Sequence, residues 1–211
     1  MRDALITCHG ARVGGVSIPA FTLRRGDLIC LHMPSPINDR LERAVGRVLT
    51  GVQTNPNIEV HANIRWVEPL TYRGGLFSTL FGHPRAIDWL ARAGGINWVS
   101  ARRRVSLLDP LVDGRIRNLY IACLPAEAKA LLSLEAAWAR SPDAIVLQMY
   151  AVGHLGEKVV YENIREHLKN AAVIHLCHEH ALGGFADQRC FPGARCLETI
   201  TERQPSIRKA S

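Results

Sequence analysis

The residues best suited to chemistry lie in the last third of the chain, where histidines and cysteines follow one another at short intervals. They are His175, Cys177, His178 and His180, with Cys190 and Cys196 downstream. These are ligand types that zinc accepts, and a Cys/His pair can also form a nucleophilic couple. Their spacing fits no zinc finger, and neither an oxyanion loop nor an orienting carboxylate is evident. Zinc binding and thiol catalysis are therefore the less favoured interpretations.

A second candidate position follows the apolar run at residues 28–31, which is typical of a buried parallel strand. A phosphate loop there would need glycines with positive φ and consecutive backbone donors. The loop contains no glycine, and Pro34 and Pro36 each remove a donor. Asp39 would repel an anion, an effect that Arg40 would partly offset. The sequence predicts a capped helix start at this position, with weak or absent phosphate binding.

Apolar runs and helical repeats alternate along the chain, which is typical of an α/β fold with a mostly parallel sheet covered by helices on both faces. The expected strands are 5–8, 18–23, 28–31, 58–60, 64–67, 144–147 and 172–177. The expected helices are 85–93, 99–108, 126–140 and 156–169, and one that starts at Asn38 or Asp39 and ends before Gly51.

Between residues 69 and 123 the character of the sequence changes, because glycines and prolines punctuate short helical segments. This pattern predicts a helical insert at 69–140 within an α/β core formed by residues 1–68 and 141–201. The last residues, 202–211, are expected to form a flexible tail.

The bulk composition sets broad limits. The chain has 211 residues, of which 47% are apolar, enough to bury a core. It shows no apolar run long enough to cross a bilayer and no secretory signal, so we expect a cytoplasmic protein. The formal charge is +7, but the basic residues are dispersed, apart from Arg102–Arg104 and the tail, which makes nucleic acid the less favoured partner. The six cysteines are scattered, so disulfides are not expected.

The order and spacing of segments in the C-terminal half resemble the nucleotide-binding subunit of ABC transporters. Residues 124–128, Leu-Pro-Ala-Glu-Ala, fall on the signature loop of that family, and residues 144–148, Ala-Ile-Val-Leu-Gln, on its Walker B strand. Met149 falls on the catalytic glutamate, Leu155 on the D-loop aspartate, and His178 on the switch histidine. The resemblance covers residues 5–65 and 124–198. It implies a P-loop NTPase-like fold with an inserted helical subdomain.

The same resemblance implies that the hydrolytic residues have been replaced. Gln148 lacks the anionic oxygen that holds magnesium, and Met149 cannot take a proton from an attacking water. Leu155 has lost the D-loop carboxylate, and only His178 is retained. We therefore expect no catalytic residue, no metal site, and weak or absent binding of ATP and Mg²⁺. The remaining, doubtful nucleotide contacts are Asp39, Arg40 and His178.

A set of apolar residues follows the position of the family's Q-loop, where Pro69 replaces the glutamine: Tyr72, Leu76, Phe77, Leu80 and Phe81. In the family this region helps to form a groove that receives a helix of the membrane subunit, although core packing explains such residues equally well.

The resemblance thus implies a pseudo-ATPase that pairs with an intact ABC ATPase subunit, docks on a membrane permease, or does both. Two alternatives stay open. One is a soluble scaffold or nucleic-acid-associated protein that uses its basic surface. The other is ATP binding without hydrolysis, through Arg40 and His178.

Overall fold

The computed structural model describes residues 3–34, 38–68, 70, 84–109, 116, 119–149, 154–178 and 194–201. Its strands are β1 Ala4–Cys8, β2 Ala11–Val13, β3 Val16–Ile18, β4 Phe21–Arg24, β5 Leu28–His32, β6 Ile58–Val60, β7 Ile64–Val67, β8 Ala144–Gln148, β9 Ala172–Cys177, β10 Arg195–Glu198 and β11 Ile200–Thr201. Its α-helices are α1 Asp39–Leu49, α2 Ala86–Gly94, α3 Trp98–Leu108, α4 Ala126–Trp138 and α5 His154–His167.

The centre of the molecule is a five-stranded sheet with the order β10-β5-β9-β8-β7, in which every pair of neighbours is parallel. Strands β8 and β9 are buried along their whole length. Their continuous apolar sequences reflect this burial, because helices or further strands cover both faces of the sheet. The predicted α/β class with a parallel sheet is confirmed, and β5 and β8 lie in one sheet with β9 between them.

Alternate residues of the central strands feed two hydrophobic cores, one on each face. On one face, Cys30, Leu147 and Val173 join the buried residues of α2, α3, α4 and α5. On the other face, Leu31 and Val146 join the buried residues of α1 and of the antiparallel strands. The helices between residues 86 and 138 thus share a core with the sheet. The domain boundaries given above stay a prediction.

Helix α1 follows β5 and begins near the carboxyl end of that strand. Asn38 is its N-cap, and the Asn38 Oδ1 atom accepts the backbone N–H groups of Arg40 and Leu41, each at 3.2 Å. The helix ends at Leu49, and Gly51 follows with a φ of 74°, a left-handed conformation that glycine adopts without steric cost. The predicted start and end of this helix are confirmed.

Two features of the N-terminal region differ from the sequence-based expectation. The chain forms two three-stranded antiparallel sheets, with the strand orders β4-β1-β6 and β11-β3-β2. The sequence did not predict either sheet. The expected strand at 18–23 is divided between β3 and β4, because Pro19 has no backbone N–H to continue a ladder.

Among the described residues, no helix combines the length and the apolar character needed to cross a membrane.

Candidate functional site

The carboxyl ends of the parallel strands bring three distant segments to one edge of the central sheet. Strand β8 ends at Gln148, whose register partner in β9 is Leu176. In turn His32, at the end of β5, is level with Cys177, and His178 follows directly. Helix α1 begins just beyond β5. In open parallel sheets this edge is where ligands usually bind, so it is the place to look for the site.

Glu42 is the centre of a buried polar cluster at this edge. It lies in the first turn of α1 and is only 1% exposed. Its carboxylate accepts a hydrogen bond from the Nε2 amide of Gln148. The other oxygen, Oε1, is 2.8 Å from Nε2 of His178. One carboxylate therefore joins α1, the end of β8 and the residue after β9.

The surroundings of Glu42 explain how a carboxylate can be tolerated in the interior. Burying an unpaired charge is costly, but this one has an amide donor and a histidine that can carry the opposite charge. The position in the first turn of α1 also places the negative charge at the positive end of the helix dipole. The His178 side chain is 13% exposed, so both partners are shielded from water.

Two polar atoms of the cluster have no hydrogen-bond partner within the described part of the chain. They are Oε1 of Gln148 and Nδ1 of His178, and both are buried. Oε1 of Gln148 can accept a hydrogen bond, and Nδ1 of His178 can accept or donate one according to its tautomer, so a small polar molecule would satisfy both. Within the described ranges, no group of three or more His, Cys, Asp or Glu side chains is arranged to hold a metal ion.

The structure brings only some of the predicted site residues together. Gln148 and His178 meet at Glu42. Asp39 and Arg40 are exposed on the first turn of α1, while Glu42 points inward. Met149 is buried in the core shared with the helices, on the opposite face of the sheet from α1.

Leu155 is the second residue of α5, and its side chain lies outside the described part of the structure. The five residues expected to bind a partner, from Tyr72 to Phe81, lie outside the described residues.

Sequence reasoning missed Glu42, although a signal was present. Glu42 lies three residues before Val45 and seven before Leu49, so it belongs to the apolar, inward-facing stripe of α1. A carboxylate within such a stripe indicates a buried partner.

The segment that resembles the signature loop also has a clear geometry. Pro125 is the N-cap of α4, with a φ of −63° and no side-chain capping bond, and Glu127 follows in the first turn. Proline is tolerated here because the first turn needs no donor from it. Glu127 places a carboxylate at the helix N-terminus, where an anionic ligand would otherwise be favoured.

Comparison with known proteins supports a fold and goes no further. Neither the protein-family models nor the curated proteins give a match. Among solved structures, an ATP-binding cassette of an ABC transporter in its ADP conformation superposes with a TM-score of 0.64 at 10% identity, over 95% of this chain and 90% of that one.

Two further solved structures agree. An ABC transporter ATP-binding protein from Pyrococcus furiosus gives a TM-score of 0.65 at 14% identity, over 91% of this chain and 96% of that one. A subunit of an ABC transporter complex from Clostridium perfringens gives 0.58 at 11% identity, over 94% and 87%.

The chain therefore has the P-loop NTPase fold of ABC transporter ATPase domains, as the resemblance implied.

Proposed function

We propose that this chain is a catalytically inactive ABC-type ATPase domain, which acts through protein–protein contacts as a structural or regulatory subunit of a transporter-like complex. The observation that carries the proposal is the buried Glu42, held by Gln148 and His178 at the carboxyl edge of the sheet. This edge is where an ATPase of this fold would bind its nucleotide.

The residues at this edge do not fit ATP and Mg²⁺. The Glu42 carboxylate would repel the phosphates, and it already occupies His178, the group that could have contacted them. Gln148 offers an amide in place of the carboxylate that phosphoryl transfer uses to hold magnesium. Met149, next along the chain, has no group that could orient or deprotonate water. No hydrolytic step follows from these side chains.

The function then depends on surfaces. Members of this fold class sandwich nucleotide between two ATPase subunits and dock on a permease, so we infer that the partner is an intact ABC ATPase subunit, a permease, or both. In such a complex the chain would lie on the cytoplasmic side of the membrane. Its stable parallel sheet would hold the partner-facing surfaces in place without a catalytic cycle.

Two measurements on the full chain test this proposal. Calorimetry with ATP, with and without Mg²⁺, together with an ATPase assay, should give no saturable binding and no turnover above a buffer blank. An intact ABC ATPase subunit assayed in parallel is the positive control. Hydrolysis that Glu42→Ala or His178→Ala abolishes would refute inactivity, whereas binding without hydrolysis would favour a nucleotide-dependent switch.

Partner identity is tested separately by affinity purification of the tagged chain from its own cells. The expected result is recovery of a protein with intact nucleotide-binding motifs, a permease, or both. Recovery of neither, combined with nucleic-acid affinity that falls steeply with salt, would support the scaffold alternative instead.

A further inference from the structure

A second polar cluster lies on the opposite face of the sheet from Glu42, beneath the helices. Strand registers place Cys196 of β10 beside Cys30 of β5, and Cys30 beside His175 of β9. Residues that pair in register in a parallel sheet point to the same face, so the three side chains form a row across neighbouring strands. Cys177, two residues beyond His175, points to the same face.

Helix α5 packs over this cluster and contributes Tyr161 to it. The hydroxyl of Tyr161 is 2.6 Å from Nδ1 of His175, and both residues are buried. If Tyr161 donates to Nδ1, the remaining proton of the neutral imidazole resides on Nε2. Glu157 is a buried acid one turn earlier on α5. Its charge is one of the causes that raise the pKa of Tyr161 and of Cys177.

The cysteines of the cluster differ sharply in access to solvent. Cys30 is 0% exposed and Cys177 is 1% exposed, whereas Cys196 is exposed. A reagent in solution can therefore reach Cys196 but not its neighbour Cys30. The two belong to directly paired positions, and adjacent strands lie about 4.8 Å apart, which is within the Cα separation that a disulfide spans.

We propose that Cys196 and Cys30 form a thiol–disulfide modification site, in which a peroxide oxidises the exposed Cys196 and the buried Cys30 resolves the product into a disulfide between β10 and β5. The Cys196 thiolate attacks one oxygen of hydrogen peroxide, which gives a sulfenic acid and releases hydroxide. The Cys30 thiolate then attacks the Cys196 sulfur and expels a second hydroxide. The two hydroxides take up the two thiol protons, so two thiols and one peroxide give one disulfide and two waters.

The neighbours of Cys30 favour the resolving step. A hydrogen bond from the Cys177 thiol, aided by the nearby His175, holds the pKa of Cys30 well below the ordinary range of a thiol, although burial opposes the shift. This hydrogen bond favours the thiolate form of Cys30, which is the form that the resolving step needs. Partial desolvation of the Cys196 sulfur and the nearby Cys30 raise the pKa of Cys196, so the first step should accelerate as the pH rises.

The disulfide would have a structural consequence. Strand β10 is an outer strand of the central sheet and pairs with β5 alone among the sheet's strands. A covalent link to β5 would fix this outer strand to its neighbour in the sheet and close a long loop of chain. Such a link stabilises the folded state by restricting the unfolded one.

Peptide mapping of the oxidised full chain tests the proposal. The chain is titrated with hydrogen peroxide, its free thiols are alkylated, and it is digested with trypsin. Trypsin cleaves after Arg25, Arg40, Lys169, Arg189 and Arg195. These cuts place Cys30, Cys177, Cys190 and Cys196 in four separate peptides. We expect a linked pair that contains Cys30 and Cys196 and has lost two hydrogens, formed faster at pH 9 than at pH 7.

Thermal unfolding gives an independent readout. The oxidised chain should melt about 5–10 °C above the reduced chain. Cys196→Ser should abolish both the linked peptide and this increase, while Cys123→Ser, which removes another exposed thiol, should change neither. The peptide map of the unaltered chain decides the matter if Cys196→Ser fails to fold.

Three results would overturn the proposal. One is a link from Cys30 to Cys177 or from Cys196 to Cys190. Another is oxidation of Cys196 to sulfinic acid with Cys30 still free, and the third is one equivalent of zinc held by the reduced cluster.

Discussion

At the scale of single residues, the central observation is a buried carboxylate at the carboxyl edge of the central sheet. Glu42 lies in the first turn of α1 and is buried. Gln148 and His178 then act as its hydrogen-bond partners. We expect the stability of the chain to depend on all three side chains.

Removing the Glu42 carboxylate should be strongly destabilising. We expect Glu42→Ala to lower the free energy of unfolding by about 2–4 kcal/mol, because it leaves the Gln148 amide and the His178 ring unpaired in the interior. Glu42→Gln keeps an acceptor for one partner and should cost less. Urea unfolding followed by circular dichroism measures both.

Asp39→Ala is the matched control, because Asp39 is an acid in the same helical turn but is exposed. Its effect should stay within about 0.5 kcal/mol. Equal losses in the free energy of unfolding for Glu42→Ala and Asp39→Ala would contradict this explanation. They would show that Glu42 contributes through the helix dipole and not through the buried cluster.

At the scale of elements, α1 is fixed to the sheet by a close approach as well as by the cluster. The Cα of Gly46 faces the ring of Trp66 in β7 so closely that a Cβ atom at this position would overlap the ring. Trp66 is held in turn by its Nε1, which donates to Oε1 of Glu68 at 2.7 Å. The ring therefore cannot move aside without losing this bond.

Gly46→Ala should destabilise the chain, even though alanine is the better helix former. We expect a loss of about 1–3 kcal/mol from overpacking against Trp66. The double variant Gly46→Ala/Trp66→Leu should recover part of that loss, and a double-mutant cycle from chemical unfolding measures the coupling. Additive losses would contradict the steric explanation.

At the scale of the whole molecule, the sheet belongs to two cores at once. Its alternate residues contact the helices of the 86–138 region on one face and α1 with the antiparallel strands on the other. A change in one core is therefore felt through the same strands by the other. Because the two cores share these strands, we expect them to unfold together. The predicted helical insert would then not unfold independently of the sheet.

Native-state hydrogen exchange should show this cooperativity. The slowest amides of α4 and of β1 should exchange with the same free energy and respond equally to urea, because neither core survives without the sheet. Exchange from α4 at a distinctly lower free energy, with β1 unchanged, would indicate a helical subdomain that opens by itself.

The amino-acid sequence by itself determined four of the five strands of the central sheet, whereas β10 was not predicted. Continuous apolar runs predicted β5, β8 and β9, since strands buried on both faces must be apolar throughout. The identity of Gln148 and Met149 fixed the absence of carboxylates at those two positions.

Only the tertiary structure decided which residues meet. The contact of Glu42 with Gln148 spans 106 residues and that with His178 spans 136, and no local pattern encodes such pairings. The antiparallel sheets escaped prediction in part for the same reason, because β1 pairs with the distant β6 and β3 with the distant β11, although β2 and β3 form a local hairpin. The row from Cys196 through Cys30 to His175 likewise exists only because parallel strands place distant residues in register.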